Sequence, residues 1–250
     1  MTLSLGAVCD GLIYTSSTEH SPTNPLWRQS YVRAININDG TEAWKVDLFS
    51  QGFSIADGYL VSASQYDNLV YCIGKGPSEV TVSAPQTVIS KGNDVLITGT
   101  VTDQSPGAKG TPAIADENMQ AWMEYLYEQQ PCPTTAKGVQ VHVTAIDPNG
   151  NSQDIGYATS DMGGSFGIAW TPPIEGTYQV TATFDGTKSY GSSYATTHFA
   201  VGRAAAASPS PTSVPQPPGE GLPTTTYIAI AAAVIIIAVV AAAILLRRRK

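Results

Sequence analysis

Residues 176–184 read GTYQVTATF, and their alternation decides the fold. In an extended chain Tyr178, Val180, Ala182 and Phe184 face one side, and Thr177, Gln179, Thr181 and Thr183 face the other. One dry face and one wet face predict a half-buried antiparallel strand. The same period runs through VQVHVTA, where Val139, Val141 and Val143 alternate with Gln140, His142 and Thr144. Working outward, strands are also expected at SEVTVSA (78–84), DVLITGTVT (94–102), QDIGYATS (153–160), GSFGIAW (164–170) and THFAVG (197–202). DPNG (147–150) and DMGG (161–164) supply turn chemistry between them.

Strands at this spacing over 77–202 predict an immunoglobulin-like β-sandwich. The segment also resembles the Ig-like domains of archaeal cell-surface proteins. The carrying residues are TDQSPG (102–107), AIDPNGN (145–151), TSDMGGSF (159–166), Trp170–Pro172, GTYQVTATF and SYATTHFAV (193–201). The resemblance implies a helical insertion before GVQVHV, a propeller ahead of the sandwich, and a proline stalk, one membrane span and a basic tail after it.

The insertion is DENMQAWMEYLYEQQP, with a helix expected over about 116–130. Met119, Trp122, Met123 and Leu126 fall at i, i+3, i+4 and i+7, on one helical face. Asp116 is placed to cap the N-terminus and Pro131 to stop continuation. A catalytic lid, a membrane or partner-binding arm and a structural insertion compete as its role. The polar face holds Glu124 and Glu128 and no cation, which disfavours a membrane surface. A helix packed on the sandwich is the preferred expectation. A docking arm offering Tyr125 and Tyr127 stays open.

Residues 1–76 carry a repeat. DGLIYTSS (10–17) and DGYLVSAS (57–64) each pair an Asp-Gly turn with a strand, and YVRAININ (from Tyr31) and LVYCIG (from Leu69) follow. With a nine-residue insertion removed from HSPTNPLWRQ, the period is near 40, the length of a propeller blade. Asp10, Gly11, Tyr14, Ala34, Asp39, Gly40 and Trp44 resemble the repeats of propellers named after pyrroloquinoline quinone (PQQ). Fewer than two blades are expected here, whereas a closed propeller needs at least about four. Together with an N-terminus lacking a basic signal-peptide region, this leads to the expectation that the chain is the C-terminal part of a longer polypeptide. Quinoprotein dehydrogenases of this resemblance use adjacent cysteines and a calcium site. Cys9, Cys72 and Cys132 are far apart, so no cofactor is expected. Cys9 and Cys72 lie in apolar runs and are expected in the core.

Residues 203–226 contain six prolines among Ser and Thr and predict an extended stalk reaching roughly 70 Å. Residues 227–246, YIAIAAAVIIIAVVAAAILL, carry no charge and predict one transmembrane helix. The tail at 247–250, RRRK, is expected on the cytoplasmic side, with the body extracellular. Without that tail the chain holds 9 basic against 20 acidic residues, which argues against nucleic acid as a partner.

No catalytic, cofactor or metal residue is assigned. His20, His142 and His198 are read as surface residues. Gly163–Gly167 spells G-x-S-x-G, but a strand rather than a helix is expected after it, unlike a nucleophile elbow. DPNGNSQD aligns oxygens at 147, 149, 151 and 154 but puts Ser152 and Ala158 where a calcium loop needs Gly and Glu. The expectation is therefore an all-β, single-pass cell-surface protein with a partial propeller and a sandwich. Its role would be non-catalytic: structural, adhesive or ligand-displaying, toward a protein or glycan. The alternative is a support for a propeller-based ligand-binding or enzymatic head.

Overall fold

The computed structural model describes residues 2–18, 30–203, 225, 228–229, 231–235 and 239. The chain is mostly β, as expected. Four strands, β1 (Thr2–Cys9), β2 (Leu12–Thr18), β3 (Tyr31–Asn36) and β4 (Glu42–Asp47), form an antiparallel meander in chain order. Three more, β5 (Ser50–Ala56), β6 (Tyr59–Ser64) and β7 (Val70–Ile73), form a second sheet, again in chain order.

The two Asp-Gly pairs do the same job. Asp10 (φ 49°) and Gly11 (φ 74°) join β1 to β2; Asp57 (φ 51°) and Gly58 (φ 81°) join β5 to β6. Positive φ at both central residues makes a type I′ turn, whose twist matches that of the strands it joins. The repeat reaches further back than the sequence suggested. Register slips between Leu5 and Ala7 in β1, and between Gln51 and Phe53 in β5, so each strand is bulged at a glycine. A side chain at Gly6 would strike the Phe53 ring, so β1 and β5 pack closely there. Val32, Leu48 and Leu60 are the buried apolar residues between the sheets, with Tyr14, Trp44, Val46, Phe53, Tyr71 and Ile73 packed round them.

The second body begins at β8 (Ser78–Ser83), β9 (Ile89–Ser90) and β10 (Val95–Asp103). A short 3-10 turn (Asp116–Asn118) and helix α1 (Met119–Glu128) follow. Strands β11 (Gln140–Ile146), β12 (Ser152–Thr159), β13 (Ser165–Trp170), β14 (Gly176–Phe184) and β15 (Ser193–Gly202) complete it. One sheet runs β13–β10–β8 and the other β12–β11–β14–β15–β9, with β9 parallel to β15. Their inner faces share one core. Tyr178, Val180, Ala182 and Phe184 from β14 and Val141 and Val143 from β11 are all within 2 % of full burial. Trp170 meets Tyr178 edge-on at 5.4 Å, and Tyr178 stacks on Phe199 at 5.3 Å. The Tyr178 hydroxyl donates to the Ile174 carbonyl at 2.9 Å and accepts from the Ile174 N–H at 3.0 Å. A buried phenol is thus satisfied by the backbone just before its own strand.

Two expectations need correction. Cys9 and Cys72 sit on strands but are exposed: Cys72 falls on the outward phase of β7, where Tyr71 and Ile73 take the inward one, and Cys9 is the last residue of β1, beside the Asp10–Gly11 turn. Asp116 does not cap α1. The residue before the 3-10 turn is Ala115, and neither helical segment has a side-chain cap. The helix stops at Gln129 (φ 54°), a left-handed C-cap, before Pro131 is reached.

The expected span at 227–246 and the stalk at 203–226 lie largely outside the described residues. Those described beyond 203 are helical and exposed. No described helix is long and apolar enough to cross a membrane.

Candidate functional site

The sequence-flagged groups scatter over the second body. His20 lies outside the described residues. His142 stacks on Tyr157 at 4.4 Å, and its Nε2 is 3.0 Å from Asp154 Oδ1, an exposed cross-strand pair. His198 is exposed on β15, opposite Gln179. Asp147 is consumed by its own turn. Oδ1 accepts from the N–H groups of Asn149 (2.9 Å) and Asn151 (2.8 Å), and Oδ2 accepts from Asn151 Nδ2 (3.0 Å). These donors outweigh the small effect of burial and hold the carboxyl below its usual range. Asp161 orders the other turn in the same way, accepting from Gly163 and Ser165 N–H. Ser165 leads into strand β13, so the G-x-S-x-G letters form a hairpin corner.

The residues that gather are those of α1 and the strands it meets. One side of the helix packs on the second body: Trp122, Ile114 and Ala136 form a small core with Met119, Leu126 and Met162 against it. Trp122 is 5 % exposed, and its indole N–H has no acceptor among the described residues. The 3-10 turn is tied down beside it. Asp116 accepts from Lys188 N–H (3.0 Å), Ser189 N–H (3.2 Å) and Ser189 Oγ (2.7 Å). Burial works against this carboxylate, but the bonds from Ser189, Lys188 and Thr187 outweigh it and depress its pKa.

The other side of the helix meets the N-terminal sheets. Met123, Tyr127 and Glu128 close over Val46 and Leu48, at the end of β4, and over Tyr71 and Ile73 of β7. The cavity left between them is about 10 Å³, the lower limit for one water and far too small for a substrate. Glu124 Oε1 accepts from the Asp47 N–H at 3.0 Å, which satisfies the last backbone donor of β4. The Tyr71 and Tyr127 rings meet edge-on at 5.8 Å. A side chain at Gly107 would press into the Tyr127 hydroxyl, so that glycine makes room for the ring. Burial, with the charge of Asp103, raises the Tyr127 pKa. Tyr125 stays on the outside, 37 % exposed, against Trp122.

One face of the helix packs on the second body, as expected, and the other packs on the chain's own N-terminal sheets, with Tyr127 covered there and Tyr125 left outside. Gly76 adds a second tie: its N–H donates to Ser189 O, and its carbonyl accepts from Gly191 N–H. Sequence reasoning missed Glu128 and Tyr71. The phenol and the carboxylate lie on predicted elements separated by two further strands, so nothing local shows that they meet. No protein-family model matches the chain, and a search of the curated proteins finds no match.

Proposed function

We propose that this chain is a single-pass cell-surface protein whose β-sheet part stands outside the membrane in a structural, adhesive or ligand-display role, without catalysis. The observation that carries the display role is the joint. Helix α1 spends one face on the second body and the other on the N-terminal sheets, so the two are held as a unit rather than as beads on a linker. The anchor rests on sequence: an uncharged stretch at 227–246 followed by RRRK.

Residues 1–76 are read as PQQ-like propeller repeats. Support comes from the four-stranded meander, the paired I′ turns and Trp44 in the interface between the sheets. Residues 77–202 are read as an Ig-like sandwich of the archaeal cell-surface kind. Support comes from sheets of three and five strands over one core and from the Tyr178 hydroxyl bound to the backbone upstream, as in the tyrosine corner of such folds. The proline-rich residues 203–226 act as a spacer, and the partner is a protein or glycan.

The test is fractionation of cells expressing the full chain, followed by protease treatment of intact cells. The expected result is a chain that stays with carbonate-washed membranes and loses its body to external protease. A chain released by the wash, or a body uncut until cells are lysed, rejects the reading.

A further inference from the structure

The joint contains more acid than its burial accounts for. Glu128 of α1 is half-buried among Val46, Leu48, Ile73 and Met123. From its own helix it is faced by Glu124, from β4 by Asp47, from the β6–β7 turn by Asp67, and from β7 by the phenol of Tyr71. Tyr127 stands beside it on the same cavity wall. Among the described residues, the cations of β3 and β4 pair with another acid: Arg33 with Glu42 at 2.8 Å and Lys45 with Glu42 at 3.5 Å. The Tyr71 hydroxyl has one proton, and it goes to Asp67 Oδ2 at 2.5 Å. With its one proton held by Asp67, the phenol gives an ionised Glu128 only part of a hydrogen bond, which favours the charged form.

We propose that this joint is a pH-operated clasp, closed while the Glu128 carboxyl carries its proton and loosened when that proton leaves. In the protonated form Glu128 lies against the apolar wall of the cavity without adding charge to it. In the ionised form Glu128 competes with Asp67 for a single phenolic proton and adds a like charge to Asp47, Asp67 and Glu124. Burial pushes the Glu128 carboxyl up to about 7; the Tyr71 bond pulls it down, and the three acidic neighbours push it up again. An acid whose pKa is higher in the closed joint than in the open one binds its proton more tightly when closed. Its contribution is full below the ordinary value of 4.5 and is lost as pH rises through about 7. The clasp rests on the joint alone and stands whether or not residues 227–246 cross a membrane.

The amide of Asp47 reports on the clasp, because its N–H is bonded to Glu124 across the joint. The experiment measures its hydrogen-exchange protection factor by NMR, in the full chain held in nonionic detergent, from about pH 5.5 to about pH 8.5. The expected fall is on the order of tenfold, after discounting for partial exposure of the group. Glu128→Gln keeps the shape, removes the titration and flattens the profile at its low-pH level. Tyr71→Phe keeps the ring and removes the bond that favours ionised Glu128, so the fall moves to higher pH. The amide of Val141, in β11, is the internal reference for folding. If Glu128→Gln leaves Val141 unprotected, Tyr71→Phe decides alone. A wild-type profile that does not fall, a fall that persists in Glu128→Gln, or an unchanged Tyr71→Phe overturns the proposal.

Discussion

The two sheet bodies of residues 2–202 are held together by different means. The second has a continuous apolar core from β8 to β15, with the aromatic group of Trp170, Tyr178 and Phe199 in it. Among the described residues, the N-terminal part buries the apolar side chains of Val32, Ala34, Leu48, Phe49 and Leu60, and it places hydroxyls beside them where a core would have methyls: Thr15, Ser16, Ser17, Ser30, Ser50, Ser62 and Ser64 are all buried. Some of these hydroxyls are bonded: Ser17 Oγ accepts from Tyr31 N–H, Ser50 and Ser62 bond each other, and Ser62 also donates to Gly52 O. Hydrogen bonds of this kind each contribute about 1 kcal/mol net and do not replace apolar burial. The weaker body therefore leans on α1 for a larger share of its packing than the second body, whose main core is drawn from its own strands.

That asymmetry predicts unequal effects of mutation. The largest is expected at Tyr178→Ala, which empties the centre of the strong core and leaves the Ile174 amide without its partner. A loss of about 3–5 kcal/mol in chemical denaturation is expected, with both bodies unfolding. Next is Leu48→Ala, at the meeting point of both N-terminal sheets and α1. A loss of about 2–4 kcal/mol is expected there, confined to residues 30–73 and read by exchange of β3 and β6 amides. If β11 and β14 opened with it, the two bodies would be one cooperative unit. Smaller still is Trp122→Phe. It removes an indole N–H that has no acceptor, so the cost of the lost ring volume is offset and the net change stays within about 1 kcal/mol. Least of all, labelling Cys9, Cys72 and Cys132 with a small thiol reagent without denaturant should leave the fold unchanged, since all three are exposed.

The strong body was the more legible of the two, for a physical reason. All seven strands expected over 77–202 are present, because a sheet with one wet face writes its period of two into the chain. The two-residue β9 was too short to leave that mark. In the weaker body the strands after each Asp-Gly turn were visible, but β1 and β5 were not, since the bulges at Gly6 and Gly52 break the alternation in the middle of each strand. The helix was half legible. Its apolar stripe was read correctly at Met119, Trp122 and Leu126, but Met123 turns toward Val46 and Leu48 instead. Glu124 and Glu128 looked like a solvated face and are the acids of the joint. Glu124 finds its donor at Asp47, 77 residues away, and no local pattern carries a contact of that range. Cys72 was misread because its apolar neighbours were counted without their phase.

The central claim is that α1 ties a weakly cored pair of sheets to a strongly cored body. Native-state hydrogen exchange on Met123→Asp, which sets a carboxylate against Val46 and Leu48, tests it most directly. The account predicts that amides of β4 and β7 lose most of their protection while those of β11 and β14 keep theirs. Equal loss in both bodies, or full protection of β4 and β7, would contradict it.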